Sequence, residues 1–156
     1  MKETALEFLA QRRIAVVGVS RDPRQTANLI YRRLRAVGRE MIAINPNATQ
    51  VEGDPCYPSL SAVPGGVDGV LIFTRPEVAE QIVRECAAVG IGRVWMHRSL
   101  GQGSVSKKAA EIGRRAGMTV IDGACPMMYL EPVDIFHSCL RWFLGVTGRL
   151  PRPDAI

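Results

Sequence analysis

The sequence predicts a three-layer α/β fold, in which a mainly parallel, five-stranded sheet carries helices on both faces. Short apolar runs rich in β-branched residues alternate with segments whose apolar residues recur at helical spacing. The first run, Ile14 to Val17, has no polar alternation, which is typical of a strand covered on both faces. The length of 156 residues suits one domain. We expect that domain to span residues 1–150 and to be followed by a mobile tail, 151–156.

Each predicted strand leads into a predicted helix. After a short N-terminal helix at residues 3–11, strands are predicted at 14–17, 40–45, 67–73, 93–96 and 118–121. Helices with one apolar face are predicted at 27–37, 78–89 and 105–116, and Gly38, Gly90 and Gly117 stand where helix C-caps are expected. The segment 47–66, rich in proline and glycine, is predicted to be a connection. Strands joined by helices in this order form right-handed βαβ units, so the sheet is expected to be of the Rossmann type.

The last predicted helix, residues 133–146, is hydrophobic on more than one side. One face carries Val133, Phe136, Leu140 and Phe143, and another carries Ile135, Cys139, Trp142 and Val146. Two interpretations stay open. The helix packs against the sheet of its own chain, or it forms the contact of a homodimer, where large aromatic side chains are enriched.

Composition narrows the function classes. The chain carries 20 Lys and Arg against 15 Asp and Glu, a formal charge of +5, which favours anionic partners. The arginines are dispersed rather than gathered in one arm, so no nucleic-acid partner is expected. No apolar run is long enough for a membrane span, and the N-terminus has no signal core, so we expect a cytoplasmic protein. The four cysteines form no C-x-x-C pair, so neither a metal site nor a disulfide is predicted.

The residues that follow each strand predict a ligand crevice. In an open parallel sheet, ligands bind beyond the carboxyl ends of the strands. The small-residue turn Gly18-Val19-Ser20 and the helix after it present backbone N–H groups and a positive helix end, which suit a phosphate. The crevice lacks paired acid–base groups and resembles a nucleotide cleft. NAD is disfavoured, because the turn is not G-x-G-x-x-G and Asn45-Pro46 stand where an acid usually binds the ribose.

The strand-end motifs resemble one family as an ordered set. They are V-V-G-V-S-R-D-P from Val16, I-N-P from Ile44, C-Y-P-S-L from Cys56, T-R-P from Thr74 and C-P at Cys125. Together they resemble the small stand-alone CoA-binding proteins, similar in fold to the CoA-binding domain of the succinyl-CoA synthetase α subunit, over about residues 10–130. His97 stands where many members have a glutamine, and the long hydrophobic tail marks a subtype.

The chemistry of CoA or an acyl-CoA suits the crevice. The pyrophosphate is expected on Gly18, Val19 and Ser20 and on the following helix N-terminus, with the Ser20 hydroxyl as a donor. The 3′-phosphate needs a cation, for which Arg21, Arg24 and Arg75 are candidates. Asn45 and Pro46 are expected beside the adenosine, with Thr74, Arg75 and Pro76 opposite; His97, Cys125 and Pro126 complete the predicted lining.

We expect binding rather than catalysis, because a ligase would need parts that 156 residues cannot hold without a partner chain. Two enzyme alternatives stay open. One is a small NADP-dependent oxidoreductase using Arg21 or Arg24, and the other is a transferase using the Cys125 thiol. Cys125 could also form a mixed disulfide with the thiol of CoA.

Overall fold

Helices and strands alternate along the computed structural model, which describes residues 1–151. The helices are α1 Lys2–Leu9, α2 Thr26–Ala36, α3 Pro76–Ala88, α4 Lys107–Arg115 and α5 Ile135–Val146, with a 3₁₀ turn at Pro126–Met128. The strands are β1 Arg13–Val17, β2 Glu40–Ile44, β3 Gln50–Val51, β4 Asp54–Tyr57, β5 Gly69–Ile72, β6 Arg93–Met96 and β7 Thr119–Asp122. The predicted α/β class is confirmed.

The sheet has seven strands in the order β3-β4-β2-β1-β5-β6-β7. The five predicted strands, β1, β2, β5, β6 and β7, all pair in parallel. The predicted count of five is too low, because the connection 47–66 contributes β3 and β4. These pair as an antiparallel hairpin that turns at Glu52 and Gly53, both at positive φ, and β4 extends the parallel sheet beside β2. Two strands this short, one of them containing a proline, carry too little periodicity to be recognised in the sequence.

The core has two layers, one on each face of the sheet. Ile14 and Val16 of β1 pack in the layer that contains α1 and α2, whereas Ala15 and Val17 pack in the layer that contains α3 and α4. Successive side chains of a strand alternate between faces, so a strand buried in both layers is apolar throughout. This confirms the interpretation of the first apolar run. Trp95 on β6 is fully buried and donates its indole N–H to the Gly123 carbonyl at 2.7 Å.

The C-terminal helix α5 is mostly exposed. Leu144 is its one buried residue, and Leu140 packs partly against the core. Five large apolar side chains of the helix stay exposed: Ile135, Phe136, Trp142, Phe143 and Val146. Packing against its own sheet therefore accounts for little of this hydrophobic surface. Of the predicted tail, Pro151 is buried and residues 152–156 lie outside the described part. Within residues 1–151, the helices are too short or too polar to cross a membrane.

Candidate ligand crevice at the strand ends

A cavity of about 370 Å³ lies where the carboxyl ends of β1, β5 and β6 meet, and we call it the strand-end cavity. Several residues singled out in the sequence line it, among them Gly18, Thr74, Arg75, Pro76 and His97. The rest of the lining comes from the start of α2, from Phe73 and from the loop after β6, at Gln25, Thr26, Ala27, Phe73, Gly103 and Ser104. The cavity is therefore built from segments far apart in sequence.

Gly18 lets the loops after β1 and β5 come close together. Its φ is +99°, and a Cβ atom placed there would lie 2.9 Å from the carbonyl oxygen of Phe73. Only glycine adopts this backbone conformation readily and leaves room for that carbonyl. The Gly18 amide donates to the Ile44 carbonyl at 3.3 Å and so extends the β1–β2 ladder by one residue.

Two amides of the turn after β1, those of Gly18 and Ser20, are already hydrogen-bonded within the protein. The Ser20 amide donates to Asn28 Oδ1 at 2.8 Å, and Asn28 Nδ2 donates back to the Ser20 carbonyl at 2.7 Å. The Asp22 amide donates to Ser20 Oγ at 3.0 Å. The Gly18 and Ser20 amides are therefore not free for the phosphate that the sequence predicts there, whereas a phosphate at Val19 and at the following helix N-terminus stays a prediction. Asn28, buried on α2, holds the turn in shape; its place among the apolar positions of that helix was the signal that sequence reasoning missed.

Unpaired backbone amides lie instead at the start of α2. The helix begins at Thr26 after Gln25, and no side chain caps it. The first amides of a helix have no carbonyl partner within it, and those of Thr26 and Ala27 have none among residues 1–151. Both residues line the strand-end cavity. The positive end of the α2 dipole therefore faces this cavity.

A second helix N-terminus borders the same cavity. Helix α3 begins at Pro76, has Arg75 as its N-cap residue and is likewise without a side-chain cap. Arg75 and Pro76 both line the cavity, and Arg75 forms no ion pair within the described part of the chain. Two helix N-termini and the exposed residue Arg75 thus meet at one cavity. This arrangement favours an anion.

The structure separates the two candidate cations of the first loop. Arg24 forms an ion pair with Asp22, with Nε 2.9 Å from Oδ1, and the Arg24 side chain holds the pKa of Asp22 below its usual value. Arg21 has no ion-pair partner among residues 1–151 and lines two shallow cavities of about 380 and 270 Å³. The larger one is bordered by Pro46. Arg21 is therefore the cation left available beside the end of β2.

Asn45 ties the ends of β1 and β2 together. Its side-chain amide donates to the Val19 carbonyl at 2.8 Å, and its Oδ1 accepts from the Asn47 amide at 2.8 Å. Both polar atoms of the side chain are thus used inside the protein. Asn45 positions the loop, while Pro46 beside it is exposed and borders the cavity of Arg21.

His97 lies at the end of β6 and is held in its neutral form. Its ring stacks on Phe73 with centroids 4.6 Å apart, and Nε2 lies 3.1 Å from Ser99 Oγ. Burial lowers the pKa of His97 to about 4, so the imidazole is uncharged near neutral pH. A neutral ring on an aromatic partner forms an apolar wall with one polar edge.

Cys125 and Pro126 lie at the end of β7. The Cys125 side chain is buried, and burial raises the pKa of its thiol, an effect that the Ser99 hydroxyl partly opposes. The thiol therefore stays protonated near neutral pH, which does not favour a nucleophilic role. Pro126 is also buried and begins the 3₁₀ turn. Within residues 1–151, His, Cys, Asp and Glu side chains form no group suited to a metal ion.

The fold and the crevice define a Rossmann-type α/β protein with a cavity at the carboxyl edge of its parallel strands. The family described as CoA binding domain matches residues 12–131. The chain therefore belongs to the CoA-binding domain family, and the resemblance found in its strand-end motifs is confirmed.

Relatives fall into stand-alone proteins and parts of larger enzymes. The uncharacterized protein YneT of Bacillus subtilis is 30% identical over 114 residues, covering 73% of this chain and 82% of that protein. Acetate–CoA ligase (ADP-forming) I of Archaeoglobus fulgidus is 26% identical over 118 residues, covering 72% of this chain and 17% of the ligase. The chain thus spans about a sixth of that ligase.

Similar solved structures also include proteins of about the same length and parts of larger enzymes. A hypothetical protein from Pyrococcus horikoshii OT3 superposes with a TM-score of 0.78 at 26% identity, covering 85% of this chain and 92% of that one. The apo form of the dinucleotide-forming acetyl-coenzyme A synthetase 1 of Ca. Korarchaeum cryptofilum superposes with a TM-score of 0.61 at 26% identity, covering 70% of this chain and 25% of the synthetase.

Proposed function

We propose that this protein binds CoA or an acyl-CoA along the carboxyl edge of its sheet and has no catalytic activity of its own. The observation that carries the proposal is the meeting of two uncapped helix N-termini, those of α2 and α3, with Arg75 at the strand-end cavity. An anion placed there would receive backbone N–H groups, two positive helix ends and a cation. Membership of the CoA-binding domain family supports CoA as the source of that anion.

The order of the strands suggests how the ligand lies. The diphosphate would bind at the Thr26 and Ala27 amides rather than at the turn after β1. The 3′-phosphate and adenosine would lie toward β2, beside Arg21 and Pro46. The pantetheine arm would then extend in the opposite direction, past the neutral ring of His97 toward β6 and β7.

A binding role follows from the chemistry of the crevice. The His97 imidazole is neutral and poorly basic, and the Cys125 thiol is buried and protonated near neutral pH. Ligase activity is named for relatives of which this chain matches about a sixth. We therefore propose that these 156 residues do not carry ligase chemistry by themselves.

NADP is the second candidate, because the free guanidinium of Arg21 would also suit a 2′-phosphate. Isothermal titration calorimetry with CoA, acetyl-CoA, NADP and NAD separates the two. We expect CoA and acetyl-CoA to bind and the two dinucleotides to bind at least tenfold more weakly. Tighter binding of NADP than of CoA would overturn the proposal.

A pair of matched variants tests the cavity itself. Arg75→Gln removes the cation at the start of α3, and Arg84→Gln removes an exposed arginine further along the same helix. Hydrogen bonds to charged groups contribute about 1.5–3 kcal/mol, so Arg75→Gln should weaken CoA binding by about 10-fold or more. Arg84→Gln should bind as the parent does. Equal affinity of the two variants would place CoA outside the strand-end cavity.

We also propose that the protein is a homodimer that joins through α5. The support is the exposed apolar surface of that helix, with Ile135 84%, Trp142 71% and Val146 70% exposed. A surface of this kind marks an interaction site. Mass measurement in solution at micromolar concentration tests it, and a monomer mass would contradict it.

A further inference from the structure

Helix α5 is apolar on its outer side as well as on the side that packs on its own protein. At 100° per residue, the exposed residues Ile135, Cys139, Trp142 and Val146 form one stripe, flanked by Phe136 and Phe143. No charged residue lies on this arc. The opposite face, toward the protein, carries the buried Leu144 and the partly buried Leu140 together with His137 and Arg141, and Arg141 donates to the Met128 carbonyl at 2.7 Å. A surface helix normally carries polar and charged residues on its outer face. The apolar outer face of α5 therefore indicates that a partner covers it.

A protein partner fits this face better than a lipid surface. Helices that lie on membranes carry Lys and Arg on the polar face that meets the headgroups. In α5 there is no lysine, and its one arginine is engaged with the protein's own backbone. Within α5 itself, no lysine or free arginine accompanies the apolar face, as it would in a helix that lies on a membrane.

The spacing of the stripe makes it complementary to itself. Its residues are separated by four, three and four positions, the 3–4 repeat of a helix pair with knobs-into-holes packing. In an antiparallel pair related by a two-fold axis, Ile135 meets Val146 of the second copy, and Cys139 meets Trp142. The large indole thus faces the small thiol at both central positions, and β-branched residues face each other at both ends.

The charges at the helix ends agree with the antiparallel direction. Asp134 caps the N-terminus of α5, and Arg149 follows its C-terminus. In this arrangement, Asp134 of one copy lies near Arg149 of the other, and opposite ends of the two helix dipoles are neighbours. A parallel pair would bring like charges and like dipole ends together.

The available area is of the right order. The exposed fractions of Phe136, Trp142 and Phe143 are 64%, 71% and 49%, and aromatic side chains bury 150–250 Å² each, so these three offer roughly 300–450 Å². Ile135 and Val146 add to this sum. A standard interface buries about 800 Å² on each partner. One α5 face with its flanks therefore approaches what a stable dimer needs.

We propose that α5 pairs with α5 of a second copy as an antiparallel two-helix seam, with Ile135 against Val146 and Cys139 against Trp142. This inference rests on the proposed dimer and adds its register. Paired positions on facing helices bring Cα atoms to within about 6 Å, which a disulfide can bridge. Ile135 in one copy would lie about 16 Å along the axis from Ile135 in the other, which a disulfide cannot bridge.

Cysteine cross-linking reads the register directly. In a Cys139→Ser background, Ile135→Cys and Val146→Cys are made singly and together, because the remaining cysteines are buried. We expect a disulfide-linked dimer on non-reducing gels for the double variant and for an equilibrated mixture of the two single variants, but not for either single variant alone. Efficient cross-linking of Ile135→Cys alone would show a parallel pair and overturn the register while leaving the dimer in place.

Solution mass distinguishes failure of the dimer from failure of the register. Trp142→Glu places a charge in the seam and should shift the parent dimer to a monomer, whereas Leu100→Glu, at a similarly exposed apolar residue outside α5, should not. Trp142 is exposed in the single chain, so its replacement leaves the core intact. A parent monomer would overturn both proposals. A dimer that survives Trp142→Glu would show that the two copies join through another surface and would overturn the seam. A monomeric parent that floats with anionic vesicles would show that the α5 face binds a lipid surface instead.

Discussion

Arg21 and Arg24 are three residues apart, yet the structure predicts that only Arg21 contacts the 3′-phosphate of CoA. Arg24 forms an ion pair with Asp22. Arg21 lines the cavity bordered by Pro46 and forms no ion pair within residues 1–151. Replacing each by glutamine removes one charge and keeps a polar side chain of similar reach. The two variants are therefore matched in chemistry and in position.

The magnitude follows from the exposure of the contact. Hydrogen bonds to charged groups contribute about 1.5–3 kcal/mol, and Arg21 is exposed, so we take the lower value of about 1.5 kcal/mol, a loss of about 12-fold in CoA affinity for Arg21→Gln. Arg24→Gln should stay within about threefold, because its partner is Asp22. Charge reversal in Arg21→Glu adds a repulsion of about 1 kcal/mol, giving about 60-fold.

Calorimetry with CoA and with dephospho-CoA at one fixed ionic strength checks this reasoning. Dephospho-CoA lacks the 3′-phosphate, so its affinity should be nearly the same for the parent and for Arg21→Gln. An equal loss for Arg24→Gln would refute the role assigned to its ion pair with Asp22. A loss in Arg21→Gln that persists with dephospho-CoA would show that Arg21 contacts another part of the ligand.

Three further predictions concern stability and reactivity. Gly18→Ala should destabilise the fold by about 1–3 kcal/mol more than Gly38→Ala. Both glycines have positive φ, but of the two only Gly18 would bring a Cβ atom within 3 Å of another backbone segment. Unfolding in denaturant measures the difference in stability. The pKa of His97 is about 4 in the folded protein and about 6.5 in the unfolded chain, so protonation on acidification favours the unfolded chain. The stability that neutral His97 contributes is therefore fully present above pH 6.5, and about 3 kcal/mol of it is lost as the pH falls to 4. His97→Gln should not show this loss. In native protein, Cys125 should react with iodoacetamide far more slowly than Cys139 does in Trp142→Glu, as read by mass spectrometry.

Each of these has a result that would contradict it. Equal unfolding midpoints for the two glycine variants would mean that the loop after β5 moves away without cost. Parallel pH profiles for the parent and His97→Gln would mean that the imidazole is protonated in the folded state at the same pH as in the unfolded chain. Rapid modification of Cys125 would mean that the β7 end opens readily in solution.

Local patterns in the sequence determine the five parallel strands and the helices between them. β1 is the clearest case. Its side chains pack alternately into the two apolar layers, so all four consecutive residues from Ile14 to Val17 are apolar. The prolines and glycines that end the strands also mark where a crevice should lie. These features depend on residues near one another in the chain, so a pattern is enough to find them.

The tertiary structure decides how the crevice is used. The Ser20 amide is occupied by Asn28, eight residues away, and Asn45 bonds to Val19 across 26 positions. Such hydrogen bonds depend on how helices and strands pack against each other in three dimensions. A periodic pattern in the sequence does not predict them. The sequence predicted a phosphate at the turn after β1 and at the start of α2; the structure takes up the Ser20 amide of that turn and leaves the first amides of α2 unpaired among residues 1–151.

What the sequence alone determined, then, is the layered sheet, the family and the edge at which a ligand is expected, since hydrophobic periodicity and strand-ending residues are local properties. Only the three-dimensional arrangement showed that Arg24 is ion-paired with Asp22 and that α5 turns its aromatic face away from its own core. Both depend on which groups come within a few ångströms of each other after folding, and distance in space cannot be read from order along the chain.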